Sequence, residues 1–260
     1  MRLQKAERHQ RILSELRARP TVRISELAEA FGVTTETVRR DVDELSQKGL
    51  VDRTYGGAAI TSMGSEPTID IRASLHREER ERIADRAVSL VEGDEILMID
   101  AGSTTTQFAT RLTAAILEES SVKVTVVTNS LGVARILGTN TSIRTVLCPG
   151  DYDCHEAAVF GPETLDFLRR FRANSAIIGA GGVTTEGISD VNSNSSWVKR
   201  VMLERAERSL LLIDHSKFDT NHLEVVCSLT RLTDMVTDLK PGRALSAALR
   251  EAKAKLHVAP

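Results

Sequence analysis

The chain has 260 residues, with 34 Lys and Arg, 36 Asp and Glu, and a formal net charge of −2. This balance excludes a broad positive field as the source of any affinity for nucleic acid. A charged N-terminus without an apolar core argues against a secretory signal, and no run approaches the length of a membrane helix. Three cysteines fit a reducing compartment better than a disulfide framework. We therefore expect a soluble cytoplasmic protein with no membrane partner.

The cysteines also raise the question of a metal site. Cys148, Cys154 and His155 lie close together in the sequence. Their spacing matches no usual zinc pattern, and a fourth ligand is not evident. We predict neither a metal nor a cofactor.

Two short amphipathic helices are predicted between Ile24 and Gln47. Ser25 is placed to cap the first helix, because its hydroxyl accepts from free backbone N–H groups. Gly32 ends that helix, since a residue without a Cβ atom adopts the left-handed conformation of a C-terminal cap. Thr34 is placed to cap the second helix, and Gly49 to stop it. The predicted buried faces are Leu27, Ala28 and Phe31 in the first helix and Val38, Val42 and Leu45 in the second.

An earlier helix and a two-stranded tail complete this small module. The earlier helix, over about 6–17, offers Ile12, Leu13 and Leu16 to the core. The tail contains Gly56-Gly57, where we expect a tight turn or a close backbone approach. The pattern indicates a helix-turn-helix with a β-wing, a module whose second helix enters the DNA major groove.

The predicted DNA contacts are on the second helix and the wing. Arginine can pair bidentately with guanine, and threonine hydroxyls suit bases or phosphates. An alternative is that Arg39 and Arg40 pair with Asp43 and Glu44 as solvated helix pairs, and that the wing is a solvated edge strand. The candidate contacts are Thr34, Thr35, Thr37, Arg39, Arg40, Arg53 and Tyr55.

The charge of this N-terminal segment is low for a DNA-binding module. Residues 1–60 hold 11 Lys and Arg against 9 Asp and Glu, a formal charge of +2, and the rest of the chain carries −4. Affinity would then depend on local placement of charge and on dimerisation. We predict a homodimer or homotetramer that binds a double-stranded operator.

The run VTTETVRRDVDELSQKGLVDRTYGGA (33–58) resembles the DNA-binding signature of the DeoR family of bacterial regulators. That family shows a hydrophobic residue followed by Arg-Arg-Asp, and later a wing that ends in Gly-Gly-Ala. Thr34 stands where the family usually has serine, a change that keeps the capping hydroxyl.

The remaining chain reads as a linker followed by an α/β domain. The linker is predicted over 61–72, which contains Gly64 and Pro67 and few large apolar residues. From 73 to 260, apolar strand patterns alternate with helical ones, which predicts a mostly parallel sheet covered on both faces. The strand candidates are 95–100, 123–128, 142–148, 175–182, 209–214 and 224–228.

Ligands of such sheets bind at the carboxyl ends of the strands. Gly102 follows one strand and precedes Ser103, Thr104 and Thr105 at the start of a helix, an arrangement suited to an anion. Lys217 follows a later strand and could supply the matching cation. The sequence therefore predicts a phosphate attached to a hydroxyl-rich body. The alternatives are that the hydroxyls simply cap a helix, that Asn129 is a turn residue, and that Asp100 and Asp214 only hydrogen-bond loop backbone.

The motifs D-x-GSTT, VTNS and D-x-SKF, in this order, resemble the sensor domain of the same family. The resemblance implies a fold similar to ribose-5-phosphate isomerase and a phosphorylated sugar as effector. The fold class is then α/β, with a winged helix-turn-helix over 1–60 and a sensor domain over 73–260. The implied effector-binding residues are Asp100, Gly102, Ser103, Thr104, Thr105, Thr128, Asn129 and Lys217.

Three positions depart from the family pattern near the sugar end of the predicted site. Pro149-Gly150 replaces Gly-Gly, the loop 179–182 lacks an acidic residue, and 194–196 lacks a glutamate. The basic pair Lys199-Arg200 matches one that is usual in a later helix of the family.

The function predicted is a transcriptional regulator, a repressor of a carbohydrate-catabolism operon that responds to a phosphorylated sugar. One alternative is an isomerase-like enzyme with an accessory DNA-binding domain, which would need a general base near its substrate. Another is an α/β domain that serves only to oligomerise. We expect no enzymatic activity, because the loop 179–182 carries no carboxylate.

Overall fold

A computed structural model describes residues 4–19, 21–47, 50–54, 56–60, 68–118 and 123–260. The chain divides into two compact units, Met1–Ile71 and Arg72–Pro260. None of the helices in the described part of the chain has the length and apolar character needed to span a membrane.

The first unit contains helices packed on a small antiparallel sheet in the strand order β1–β3–β2. Its elements are α1 (Lys5–Ala18), β1 (Thr21–Arg23), α2 (Ile24–Phe31), α3 (Thr35–Gln47), β2 (Val51–Thr54) and β3 (Gly57–Ile60). Eight of the predicted core residues are buried: Ile12, Leu16, Leu27, Ala28, Phe31, Val38, Val42 and Leu45. Leu13, also predicted for this core, is only partly buried against it. The structure adds β1, which the sequence analysis did not identify.

The helix caps of this unit follow the predictions with one exception. Gly32 has φ 63° at the C-cap of α2, as expected. The Oγ1 atom of Thr34 accepts from the backbone N of Thr37 at 3.2 Å, which caps α3. The prediction for Ser25 was wrong, because α2 begins at Ile24 and its N-cap position is Arg23. Gly49 lies outside the described residues.

The wing between β2 and β3 needs both of its glycines. Gly56 has φ 78°, a left-handed conformation that other residues rarely adopt. A Cβ atom on Gly57 would lie 2.5 Å from the carbonyl oxygen of Val22. The predicted turn and the predicted close approach are therefore both present, at successive residues.

The second unit is larger and alternates helices with strands. Helix α4 (Ile69–Ser74) crosses the division between the units, so the predicted linker over 61–72 includes helical residues, while 61–67 lie outside the described residues. The other helices are α5 (Arg77–Val88), α6 (Ser103–Glu118), α7 (Leu131–Leu137), α8 (Pro162–Arg169), α9 (Ser193–Arg205) and α10 (Arg243–Glu251).

A seven-stranded sheet forms the centre of this unit, in the order β15–β14–β12–β9–β4–β5–β6. Every adjacent pair is parallel. Its strands are β4 (Ile96–Ile99), β5 (Val124–Thr128), β6 (Ile143–Leu147), β9 (Ala173–Ile178), β12 (Ala206–Leu212), β14 (Asp234–Thr237) and β15 (Lys255–Val258). The chain leaves β4 toward one edge and returns to its other side at β9, which makes the β4–β9 boundary a topological switch point.

Two smaller antiparallel sheets accompany the central one. One pairs β7 (Asp151–Asp153) with β8 (Ala158–Phe160), and the other has the order β10–β11–β13. The latter contains β10 (Gly182–Thr184), β11 (Gly187–Asp190) and β13 (Glu224–Cys227). The strand predicted over 224–228 is thus present but belongs to this small sheet.

The central sheet is covered on both faces, as predicted. Met98 of β4 packs into one apolar cluster with residues of α8, α9 and α10. Its neighbours Leu97 and Ile99 pack into the opposite cluster with residues of α5, α6 and α7. This alternation along one strand is that of a buried parallel sheet.

Candidate functional site

Helix α3 presents a polar face to solvent. The side chains of Arg39 and Arg40 are 57% and 77% exposed. Thr35 is exposed as well. Thr34 and Thr37 are partly committed to the helix cap, since their Oγ1 atoms lie 2.9 Å apart. The predicted base-reading residues therefore share one helix with free access from solvent.

The ion pairs on this face differ from the alternative that the sequence suggested. Arg39 and Arg40 lie 3.8 and 3.6 Å from carboxylate oxygens of Glu36. The predicted partners have other contacts: Asp43 lies 3.0 Å from Arg53, and Glu44 lies 2.7 Å from Lys5. Exposed pairs at such distances contribute little to stability, so both arginines are available to a ligand.

The wing contributes one described candidate. The Arg53 side chain is 60% exposed and pairs with Asp43 across the β2–α3 contact. Tyr55 lies outside the described residues, so its predicted contact with DNA stays a prediction.

The predicted effector residues lie at the carboxyl ends of β4, β5 and β12. Asp100 follows β4, and its Oδ1 accepts from the backbone N of Gly179 after β9 at 3.2 Å. This hydrogen bond joins the two strands of the switch point, where open parallel sheets bind their ligands. The geometry therefore brings the predicted loops to one edge of the sheet.

The N-terminus of α6 faces this edge. The helix begins at Ser103, and its first N–H groups have no partner within the helix. Gly102 and Ser103 are partly exposed, whereas Thr104 and Thr105 are buried. The Thr105 hydroxyl is within hydrogen-bond distance of the carbonyl oxygens of Asp100 and Gly102, at 2.9 and 3.0 Å. The Thr105 hydroxyl is thus already used within the protein, and the groups suited to an anion here are the backbone N–H groups of the first helical turn.

The end of β5 is buried, and its two predicted residues, Thr128 and Asn129, differ in how far their hydrogen bonds are satisfied. Thr128 donates its hydroxyl to the carbonyl oxygen of Ile99 at 2.6 Å and accepts from the backbone N of Ser130 at 3.0 Å. Asn129 donates its amide to the carbonyl oxygen of Val159 at 3.1 Å. Its Oδ1 atom is buried without a hydrogen-bond partner among the described residues. An unpaired buried acceptor costs about 1–3 kcal/mol, so this oxygen is suited to a ligand hydroxyl.

A buried lysine occupies the centre of the switch point. Lys199 of α9 lies 3.0 Å from Oδ2 of Asp100 and 2.8 Å from Oδ2 of Asp190, and all three side chains are at most 7% exposed. Three residues before it, the hydroxyl of Ser196 is buried without a described partner. The cluster Asp100–Lys199–Asp190 carries one cation for two carboxylates.

Burial, together with the contacts inside the cluster, decides its ionisation. Burial raises the pKa of Asp100 to about 6, although Lys199 acts in the opposite direction. Burial alone would lower the pKa of Lys199, but the two carboxylates raise it above its usual range. Lys199 is therefore a permanent cation that is already neutralised, and it has no charge to spare for a phosphate.

Lys217 is placed differently, on a short turn after β12. The turn spans His215–Lys217, and its N-cap residue Asp214 accepts from the backbone N of Ser216 at 3.1 Å. Burial works against ionisation, but the Ser216 hydrogen bond and Arg80 hold the pKa of Asp214 below its usual range. Lys217 is partly exposed at the same edge of the sheet as α6.

Comparison with known families decides what the two units are. Residues 8–63 match the model of the DeoR-like helix-turn-helix domain, and residues 75–239 match that of the DeoR C terminal sensor domain. The chain belongs to the DeoR family. It is accordingly a DNA-binding transcriptional regulator, and the predicted family and fold class are confirmed.

Two DeoR-family relatives span most of the chain. The glycerol-3-phosphate regulon repressor of Escherichia coli is 30% identical over 240 residues, covering 92% of this chain and 93% of the relative. The L-fucose operon activator of Haemophilus influenzae is 30% identical over 219 residues, covering 83% and 84%. Among solved structures, ribose 5-phosphate isomerase A from Methanocaldococcus jannaschii is similar over 55% of each chain, at 19% identity and a TM-score of 0.41.

The sequence analysis did not identify three residues that help to build the two sites of this DeoR-family protein. Asp190 and Lys199 complete the switch-point cluster, and Asp41 of the Arg-Arg-Asp motif is buried against Arg8. The available signal was charge in an apolar context, since Lys199 is flanked by Val198 and followed by Val201 and Met202. A charged residue on a buried helix face requires a partner of opposite charge.

Two cavities in the sensor unit lie away from these residues. One, of about 500 Å³, is lined by residues of α10 and β15, and the other, of about 440 Å³, by residues of α5 and the chain end. Neither lining includes a predicted effector residue. Within the described residues, no group of three or more His, Cys, Asp or Glu side chains is placed to hold a metal ion.

Proposed function

We propose that this DeoR-family protein is a repressor of a carbohydrate-catabolism operon and that a phosphorylated sugar sets its affinity for operator DNA. In this proposal residues 1–60 bind DNA, residues 73–260 bind the effector, and the protein acts in the cytoplasm. The names of the relatives support a link to sugar and glycerol phosphate metabolism. The two units and the free polar face of α3 support the division of labour.

The proposed DNA contacts come from α3 and the wing. Arg39 and Arg40 are exposed on the second helix of the motif, which enters the major groove in winged helices. Thr35 and Arg53 flank them, Thr34 and Thr37 hold the start of the helix, and Tyr55 belongs to the wing. Because the unit carries a charge of only +2, we propose that two or four copies bind together, which multiplies the affinity of paired half-sites.

The proposed anion site combines a helix N-terminus with one lysine. Backbone N–H groups at Gly102, Ser103 and Thr104 would bind the phosphate, and Lys217 would supply the cation. Lys199 cannot take this role, since Asp100 and Asp190 already neutralise it. Lys217 and the start of α6 at Gly102 and Ser103 are all partly exposed at one edge of the sheet, where a ligand can reach them.

The observation that carries the sugar end of the site is the unpaired Oδ1 atom of Asn129. The side chain is 1% exposed and its amide is already used. A hydroxyl of the effector would satisfy this acceptor. Asp100, Thr105 and Thr128 then support the site, because their polar atoms hold the loops after β4, β5 and β9 in place.

The isomerase alternative is disfavoured by the same geometry. A general base must lie within reach of a substrate proton. The two carboxylates at the switch point, Asp100 and Asp190, both bind Lys199. We therefore propose that sugar phosphates are bound without being interconverted, which NMR of an incubated mixture would check.

The experiment that tests this proposal is a thermal-shift panel. Glycerol 3-phosphate, fructose 6-phosphate and ribose 5-phosphate are compared with glycerol, fructose and ribose. A ligand at about 100 times its Kd stabilises the folded protein by about 2.7 kcal/mol. We expect a shift only with a phosphate, and its loss in Lys217→Ala. Lys123→Ala, an exposed lysine at the amino end of β5, is the matched control. A shift by a free sugar, or an unchanged shift in Lys217→Ala, contradicts the anion site.

A further inference from the structure

A buried arginine connects the Lys217 turn to the start of the sensor unit. Arg80 of α5 is 5% exposed, and its Nη2 atom lies 3.3 Å from Oδ2 of Asp214. Its Nη1 atom donates to the carbonyl oxygen of Leu75 at 2.8 Å and also to that of Arg72. A buried guanidinium is tolerated only with such partners. The side chain therefore joins one carboxylate to two backbone carbonyls of the segment 72–75.

Asp214 divides its two oxygens between Arg80 and the Lys217 turn. Its Oδ1 atom accepts from the backbone N and the hydroxyl of Ser216, at 3.1 and 2.5 Å. Its Oδ2 atom faces Arg80. Any displacement of the turn that rotates this carboxylate changes the Arg80 contact, since hydrogen bonds weaken steeply with angle and distance.

The same segment has a second attachment, to the other half of the proposed site. The Arg72 side chain forms an ion pair with Glu156, in the turn that leads into β8. The next strand residues bind the end of β5, because Val159 donates its backbone N to the carbonyl oxygen of Asn129 at 2.8 Å. The segment 72–75 is thus held from both the Asn129 side and the Lys217 side.

We propose that Arg80 is the positioning residue that couples effector binding to the segment 72–75, through which the sensor unit is joined to the winged helix along the chain. The inference rests on the proposed function, since it names the residue that transmits effector binding. Coupling between distant sites needs a contiguous chain of contacts with two arrangements. The guanidinium of Arg80 provides such a chain of contacts, and its two arrangements are Asp214 aligned with the guanidinium and Asp214 turned away from it. Lysine keeps the charge at this position but cannot reach three acceptors in the fixed geometry of a guanidinium.

The first test needs no effector. Hydrogen exchange is measured at the backbone N–H of Leu75, which donates to the carbonyl oxygen of Arg72 at 3.1 Å. We expect exchange to accelerate about tenfold in Arg80→Lys and in Asp214→Asn, because the local structure opens more easily. Arg208→Lys is the matched control, since Arg208 pairs with Asp234 at 3.4 Å at the amino end of β14. If the exchange rate at Leu75 is unchanged in both Arg80→Lys and Asp214→Asn, the proposal is overturned.

The second test measures coupling with glycerol 3-phosphate and inorganic phosphate as probes. For the wild type, the Kd for a selected operator is expected to change about tenfold when the probe is present. In Arg80→Lys, at probe and operator concentrations that saturate the variant, the probe should change operator affinity less than about twofold. Arg208→Lys should keep the full change. If the probe still changes the operator affinity of Arg80→Lys about tenfold, the inference is overturned. If neither probe binds the wild type, the proposed function is contradicted, and the exchange test alone decides the role of Arg80.

Discussion

Arg8 binds both carboxylate oxygens of Asp41, with Nε 2.7 Å from Oδ2 and Nη2 3.0 Å from Oδ1. The pair ties α1 to α3, and His9 adds a third contact to the same carboxylate at 3.2 Å. Asp41 follows the two exposed arginines of α3 directly in sequence. The aspartate of the Arg-Arg-Asp motif therefore fixes the helix that carries the proposed DNA contacts.

The first prediction concerns the stability of the winged helix. Asp41→Ala should lower the free energy of unfolding by about 3 kcal/mol, because it leaves a mostly buried guanidinium without its carboxylate. Urea denaturation followed by circular dichroism measures this. Glu7→Ala, which removes an exposed pair with Arg11, should cost less than about 1 kcal/mol. Equal effects of the two changes would show that the Arg8–Asp41 pair does not stabilise the fold.

The second prediction concerns operator binding. Arg39→Ala and Arg40→Ala should each weaken binding by about 1–3 kcal/mol if they read bases, and a phosphate contact should also reduce the salt dependence. Affinity for an operator selected from random duplex DNA is measured over a range of salt concentrations. Arg11→Ala on α1 is the control, since it also removes one exposed positive charge. Wild-type affinity in both α3 variants, with the fold intact, would remove these arginines from the interface.

The third prediction concerns the Asp100–Lys199–Asp190 cluster. Lys199→Met should destabilise the protein by about 3–5 kcal/mol, because two buried carboxylates lose their only described cation. Asp100→Asn should cost less, about 1 kcal/mol, since a neutral Lys199–Asp190 pair remains. Chemical denaturation of both variants measures the difference. A milder effect of Lys199→Met than of Asp100→Asn would contradict this account of the cluster.

The same cluster predicts a dependence of stability on pH. The pKa of Asp100 is about 6 in the folded protein, against about 3.8 for the carboxyl in the unfolded chain. Because the folded protein holds this proton more tightly, protonation of Asp100 stabilises the folded protein. This contribution is complete when the pH is below the pKa of the unfolded chain, and it is lost as the pH rises through the folded pKa of about 6. The stability of the wild type relative to Asp100→Asn should therefore fall between pH 4 and pH 7. A constant difference across this range would mean that Asp100 does not titrate there.

The fourth prediction concerns assembly. A winged helix with a charge of +2 binds DNA weakly as a single copy, so the protein should be at least dimeric. Sedimentation velocity at micromolar concentration should show no dominant monomer. A monomer that binds one half-site tightly would contradict this prediction.

The winged helix was predictable because its signals are local. Gly32, Thr34 and Gly57 act within a few residues, and the burial of Val38 and Val42 follows from helical spacing. Strands of three residues, such as β1 and β7, are too short to show a period and were missed. The strands β14 and β15 at one end of the central sheet, of four residues each, were missed as well.

The strand-end loops were predicted, but the contacts within them were not. The meeting of Lys199 with Asp100 joins residues about a hundred positions apart, and sequence spacing carries no information on such a pair. Spacing also could not show that the hydroxyls of Thr105 and Thr128 meet backbone carbonyls in the folded chain. Their contact with a ligand stays a prediction. The placement of Gly102 and Lys217 in strand-end loops was easier to predict, since the strands before them are continuous apolar runs.

The apolar interior of the winged helix is separate from the two clusters that cover the central sheet. A substitution inside one of these apolar clusters changes packing within its own cluster first, because additivity fails mainly for residues in contact. A chimera with another family member, joined near residue 72, would keep the apolar interior of each unit intact.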